Sequence, residues 1–390
     1  MKKIFVDIFK VWRNEFSVVY ADMGVMIFLF LLPLAYPLVY SSIYNPEVIR
    51  DVPVVVVDDS RTYLTRKYVR HLDATPDIKV IGYASDMKEA ERAMAEKDCY
   101  GVIHFPSDFS RKVGRNEEAI VEVYCDMSLL LRYRSVLIAA TAVASEMGEG
   151  VQVQRLSQLL EGQSEMGMGK PIPFKLEPIG NLSQGLASAI MPGVLVLILQ
   201  QCLILAICFL GATSRRRAKL NGGIDLLEER GVGVVSCVLG KMLCYFVLML
   251  IPVIFVVHFV PIIFDFPINA SVIDLVIFFV PYLLAVIMFG MMVQRFVPDR
   301  ESTFLVVVFT SVAFVFLSGI SWPRYAMSVF WQFVGACIPS TWGVTGFVGM
   351  NTVGATLAEQ RESYMMLWVL AVVYFLVNLI FERVRRNKIR

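Results

Sequence analysis

Apolar residues in this chain are gathered into long blocks separated by short polar stretches. The first block covers residues 24–44 and contains Pro33 and Pro37; others follow at 186–212, 242–264, 271–294, 302–320 and 364–381. About 20 apolar helical residues cross the hydrocarbon core of a bilayer, so each block is long enough to span it. Proline is tolerated in such helices because neighbouring groups satisfy the carbonyls it frees. The pattern predicts an α-helical polytopic membrane protein with six transmembrane helices. Ahead of the first span the period changes. Ile4, Ile8, Val11, Trp12 and Val19 fit one face of a helix, with Asp7, Lys10, Arg13 and Glu15 interspersed. A signal-peptide core does not carry charges at that density. Residues 1–23 are therefore expected to form a cytoplasmic interfacial helix that leads into the first span.

Residues 45–185, between the first two spans, read as an inserted α/β domain. Residues 52–57 are a valine-rich run suited to a strand covered on both faces. A helical pattern over 61–72 and a second strand over 78–83 follow. Asp86 is placed to cap a helix whose apolar face holds Met87, Ala90 and Met94, with Glu89 at the third position. Strands are expected at 100–105 and 119–124, and Ser107 is read as the cap of a helix beginning near Pro106. Strands alternating with helices imply a small, largely parallel sheet with right-handed crossovers. Residues 129–160 read as one long helix, and 162–178 as a linker rich in Gly, Pro and Met.

Charge fixes the expected orientation. Lys2, Lys3, Lys10 and Arg13 precede the first span; Arg215, Arg216, Arg217 and Lys219 follow the second; Arg295 and Arg300 follow the fourth. The tail, 383–390, carries Arg383, Arg385, Arg386, Lys388 and Arg390. All of these fall on one side of a six-span protein, which the positive-inside rule makes cytoplasmic. Both termini are then inside, and residues 45–185 are extracytoplasmic. The composition agrees with a membrane protein, at 57% hydrophobic and 18% charged residues and a mean hydropathy of +0.63. A net charge of +2 gives no argument for a nucleic-acid partner. The seven cysteines include no C-x-x-C pair, so no metal site is expected. Cys99 and Cys125 lie in the inserted domain, where an oxidising compartment permits a disulfide that spacing alone does not decide.

Candidate chemistry is sparse. No P-loop pattern occurs, so the chain offers no ATP site of its own. The spans hold almost no ionisable residues, whereas ion-coupled transporters need them near the midplane. No catalytic or cofactor-binding set can be named. The most informative polar segment is 213–241. Within it Ile224, Leu226 and Leu227 alternate with Asp225, Glu228 and Glu229 as a short amphipathic helix would, after Gly222 and Gly223 and before Arg230. Such an element suits a groove in a partner protein; it also fits a charged loop that only fixes topology.

Gly222, Asp225, Leu226 and Leu227, with Gly240 and Lys241 beyond, resemble the G-T-x-E-x-L-L … G-K pattern of ABC-2-type transporter permeases. Gly223 stands for the family's Thr and Asp225 for its Glu. Leu317-Ser318-Gly319-Ile320-Ser321-Trp322-Pro323 followed by Ile338-Pro339-Ser340-Thr341 is similar to the block after that family's fifth span. Gly319 and Pro323 are expected to end the span, and Pro339 to break the next apolar stretch. Residues 324–334 and 340–348 are too short to cross, so paired half-helices over 321–350 are expected to dip into the outer leaflet. Trp322, Tyr325, Trp331 and Trp342 would then lie near the interface. Asp58-Asp59-Ser60, Leu64-Thr65-Arg66 and the run Tyr100 to Ser110 resemble the branch of the family with a large insert after the first span.

The resemblance implies that residues 222–230 couple the chain to an ABC ATPase subunit, which carries the ATP and Mg. It also implies a second permease, identical or similar, and a periplasmic adaptor protein, with lipid around the spans. The implied function is export of a drug, lipid or other amphiphile across a bacterial inner membrane. The alternative is a membrane scaffold or sensor whose outer domain binds a ligand or envelope protein without transport.

Overall fold

The computed structural model describes residues 2–44, 49–115, 117–159, 185–220 and 232–389. Among these residues six helices are long and apolar enough to cross a membrane. They follow an N-terminal helix, α1 (Lys2–Ala21). In order they are α2 (Met23–Tyr44), α7 (Leu186–Leu220), α8 (Val234–Ile263), α9 (Val272–Val293), α10 (Arg300–Leu317) and α13 (Arg361–Ile389). Two shorter helices, α11 (Val329–Ala336) and α12 (Pro339–Asn351), meet at a bend of 88°. The chain divides into two compact units, one of them Val48–Glu177.

That unit is an α/β domain, as the alternation of elements predicts. Its strands are β1 (Val52–Asp58), β2 (Ile78–Ala84), β3 (Gly101–Phe105) and β4 (Glu122–Cys125), in the order β2-β1-β3-β4. β1 runs parallel to β2 and β3, while β4 is antiparallel to β3. β4 also starts later than residue 119. The helices are α3 (Tyr63–Asp73), α4 (Met87–Ala95), α5 (Phe109–Arg115) and α6 (Leu130–Leu159). β1 is apolar from Val52 to Val57 because both of its faces are covered. Val52, Val54 and Val56 meet Tyr68 and Leu72 of α3 and Val136 and Ala140 of α6. Val55 and Val57 meet Ala90 of α4 on the opposite face. Asp86 caps α4 through the Glu89 amide at 2.8 Å, as its spacing predicts. α5 begins at Phe109, so Ser107 lies outside the helix it was expected to cap.

Cys99 and Cys125 are both free thiols. Cys99 is buried with Val55 and Ala90, whereas Cys125 packs with the core on the other side of the sheet. The sheet itself stands between them, and no bridge forms.

The second unit is built around α7, whose apolar window is 83% buried, while those of α2 and α10 are 22% and 17% buried. α2 carries a π-turn over Ile27–Leu31, just ahead of Pro33, and α8 carries one over Phe255–Phe259, just ahead of Pro261. Each precedes a residue with no N–H to donate, where the regular ladder is interrupted. α1 is helical as its spacing predicts, but Ile4 is exposed, and the stripe against the bundle holds Val11, Glu15 and Val19.

Candidate functional site

The coupling residues Gly222, Gly223, Ile224, Asp225, Leu226, Leu227, Glu228, Glu229 and Arg230 lie outside the described residues. Their flanks are described, and the Gly-Lys pair that follows them has a local role. A Cβ on Gly240 would stand 2.6 Å from the Val11 Cβ and 2.9 Å from the Ile8 carbonyl oxygen. Only glycine lets α1 cross α8 at that distance. Lys241 Nζ lies 3.7 Å from Glu15 Oε2, and the Tyr245 hydroxyl donates to Glu15 Oε1 at 2.8 Å. A carboxylate that the sequence suggests is a surface charge is thus buried and partnered between two helices.

This cluster belongs to a larger ionic lattice at the basic end of the bundle. Glu382, 4% exposed, accepts from Arg295 Nη2 and Arg385 Nη2, each at 2.7 Å, and lies 3.4 Å from Arg386 Nε. Arg386 also donates to the Val232 carbonyl at 2.6 Å. Arg300 binds Asp22 at the foot of α2, donates to Thr213 Oγ1 at 2.7 Å, and sits 4.3 Å from the centre of the Phe209 ring. Arg215 donates to the Val297 carbonyl. These arginines were legible as topology signals. The pairing across helices was not, because Glu15 and Asp22 lie more than 200 residues from Lys241 and Arg300, and Glu382 lies 87 residues from Arg295.

At the other end of α10, Ser318 caps the helix and is 2% exposed. Gly319 follows with φ of +93°, the left-handed residue that commonly closes a helix and that side chains resist. Trp322 is 56% exposed. Pro323 precedes a short turn, Arg324–Ala326, and α11 begins after Ser328. Pro339 occupies the first turn of α12, where its missing N–H costs nothing. α12 runs three residues past 348 and is largely buried. Trp342 is packed inside the bundle: it is 6% exposed, with its indole N–H donating to the Ala336 carbonyl at 2.8 Å. Gly343 and Gly346 let α12 close on α9, since Cβ atoms there would stand 2.4 Å from the Tyr282 and Phe278 rings. Sequence reading passed over this spacing of three. Gln200 of α7 completes the seal by donating to Ser340 Oγ at 3.0 Å.

A groove of about 640 Å³ is walled by α2, α7 and α10. Tyr36, Tyr40 and Tyr44 stand along α2, Met191 and Leu205 along α7, and Phe304 and Val308 along α10. Among the described residues no charged side chain lines it, and Gln201, from the middle of α7, brings the one side-chain amide, with neither its oxygen nor its nitrogen partnered.

No curated protein matches the chain. A family model described as ABC-2 family transporter protein matches residues 23–380, from the foot of the first span almost to the end of the last. The six spans, the bent pair α11–α12 and this match over nearly the whole chain make the protein a member of the ABC-2 transporter family.

Proposed function

We propose that this chain is the permease subunit of an ATP-driven exporter in a bacterial inner membrane, with both termini cytoplasmic. In this reading two permeases, identical or similar, enclose a substrate path. A separate ABC ATPase binds ATP and Mg and docks on residues 222–230, between α7 and α8. Residues 45–185 face the periplasm and are available to an adaptor. The observation that carries the reading is the groove between α2, α7 and α10. Its two outer walls are the least buried spans, so a second permease can close it. Its lining of aromatic and aliphatic side chains with a single amide suits an amphiphile better than an ion. Energy would arrive as rigid-body movement of the helices flanking the docking segment.

The test is to co-purify the chain with an ATPase encoded beside it and to substitute Asp225→Lys and Leu226→Arg. Loss of association and of stimulated ATP hydrolysis, with the permease still folded, supports the reading. Association and hydrolysis at the level of the unsubstituted chain refute the docking assignment.

A further inference from the structure

At the basic end of the bundle a cavity of about 360 Å³ opens between α7, α8, α9 and α13. Four cations line it, Arg215, Lys241, Arg295 and Arg385, against two carboxylates, Glu15 and Glu382. Glu382 is already engaged by the guanidinium groups of Arg295, Arg385 and Arg386. Glu15 is held by Tyr245 and Lys241. Arg215 differs from these. It donates to the neutral Val297 carbonyl, and among the described residues no carboxylate pairs with it. Its Nε–H is buried and has no partner, as is that of Arg295 on the same cavity.

A buried guanidinium N–H left unmet is costly, and in native proteins such donors are met by an anion or another acceptor. Among the described residues both carboxylates on the cavity are already engaged, which leaves a net positive pocket open to an anion. Gln294 packs against Gly211 at the cavity wall, where a Cβ would stand 2.4 Å from its Oε1, and adds an amide to the donors. The remaining wall is apolar, with Val238, Met291, Phe381 and Val384. An anion of planar or tetrahedral oxygens matches the arginine fork. An apolar wall beside that fork matches an anion that carries hydrocarbon. Basic pockets between membrane helices are fitted to lipid head groups on both counts.

We propose that this cavity binds the phosphate of an anionic phospholipid, with Arg215 as the principal contact and Arg295 and Gln294 beside it. The site is separate from the groove between α2, α7 and α10, and it holds whether or not that groove carries substrate.

The experiment uses the full chain, purified and placed in phosphatidylcholine nanodiscs, with phosphatidylglycerol titrated in. Lipid retained by the protein is read by native mass spectrometry, and stability by the thermal midpoint. Phosphatidylglycerol is expected to be retained over phosphatidylcholine and to raise the midpoint. Arg215→Gln should weaken retention about tenfold, the factor carried by one good charge-assisted contact. Arg216→Gln, at an exposed neighbour that does not line this cavity, should leave retention unchanged. Ser214→Glu supplies a tethered anion at the rim and should abolish the lipid effect with Arg215 still in place. That variant decides the matter if Arg215→Gln fails to accumulate. Inorganic phosphate alone should give no rise in midpoint at millimolar concentration; a rise equal to that with lipid would overturn the lipid source. Retention unchanged in both Arg215→Gln and Ser214→Glu, or reduced equally by Arg216→Gln, would overturn the site.

Discussion

Glu382 offers the sharpest test of how the basic end is held together. It is 4% exposed and receives three guanidinium groups, two of them at 2.7 Å. Arg385 and Arg386 come from its own helix, one turn on. Arg295 comes from the end of α9, so only that contact ties two helices. The two sides of the pair are therefore unequal. Removing the carboxylate leaves several cations facing one another with little to neutralise them, and breaking a buried pair in this way costs about 3–5 kcal/mol. The three arginines are 20%, 34% and 16% exposed, and solvent screening pulls the expectation to the lower end. Glu382→Ala should cost about 3 kcal/mol, and Glu382→Gln, which keeps one acceptor oxygen, about 2 kcal/mol. Arg295→Gln should cost only about 1 kcal/mol, since Glu382 keeps two cations. Reversible unfolding of the purified chain in mixed micelles, followed by circular dichroism, measures all three. Equal losses for Arg295→Gln and Glu382→Gln, or a loss under about 0.5 kcal/mol for Glu382→Ala, would refute the argument that the acid is the keystone of the lattice.

Three further outcomes are expected. His104 Nε2 lies 2.9 Å from Asp59 and Nδ1 2.9 Å from Glu122. Burial pulls its pKa down, but the hydrogen bonds to Asp59 and Glu122 outweigh burial and hold it above the ordinary value, while the bond to His104 holds Glu122 below its own. A raised histidine contributes stability that is fully present below its unfolded value of about 6.5 and lost as pH rises through the folded one. The lowered Glu122 contributes above its unfolded value and loses it as pH falls. Protection of residues 101–125 from hydrogen exchange in the full chain, taken relative to the intrinsic rate at each pH, should be greatest between about pH 4.5 and 6.5, and His104→Asn should remove its fall above that window. Gly240→Leu should force α1 away from α8, at about 1–3 kcal/mol, and end cross-linking of a Val11→Cys, Lys241→Cys pair; undiminished cross-linking refutes the close crossing. Mass spectrometry without reductant should find Cys99 and Cys125 as separate thiols, with a linked peptide as the contrary result.

Different physical signals made different parts of this protein legible. The spans follow from block length, which the bilayer thickness sets. The inserted sheet follows from the run at 52–57, because only a strand covered on both faces stays apolar at every position. β4 was found, but not its antiparallel direction or its start. Polar residues such as Glu122 read equally well as loop or as an edge strand, and the pairing partner, His104, lies 18 residues away. Trp342 shows the opposite limit. Its type suggests a depth near the interface and says nothing of packing, whereas Gly343 and Gly346 draw α12 onto α9, and the indole is buried with its N–H bonded to Ala336. The glycines carried the information, and a reading based on tryptophan's preferences had no place for them.

Charges divide along the same line between local and long-range information. The basic residues near 215, 295, 300 and 385 could be read one at a time, because the positive-inside rule counts them without asking what they touch. Glu15, Asp22 and Glu382 could not, since their roles depend on which helices meet. Once paired, these acids tie α1 to α8, α2 to α10 and α9 to α13 through side chains rather than apolar contact alone. Around the groove the contacts of α2 and α10 with α7 are largely aromatic and aliphatic, as in the Phe28, Phe209 and Phe304 cluster. Apolar contacts between helices compete with equally apolar lipid, so they hold α2 and α10 less firmly than directed ion pairs hold the basic ends. A change of helix spacing therefore costs least beside the groove, and the ionic lattice sets the pivot about which such a change would turn.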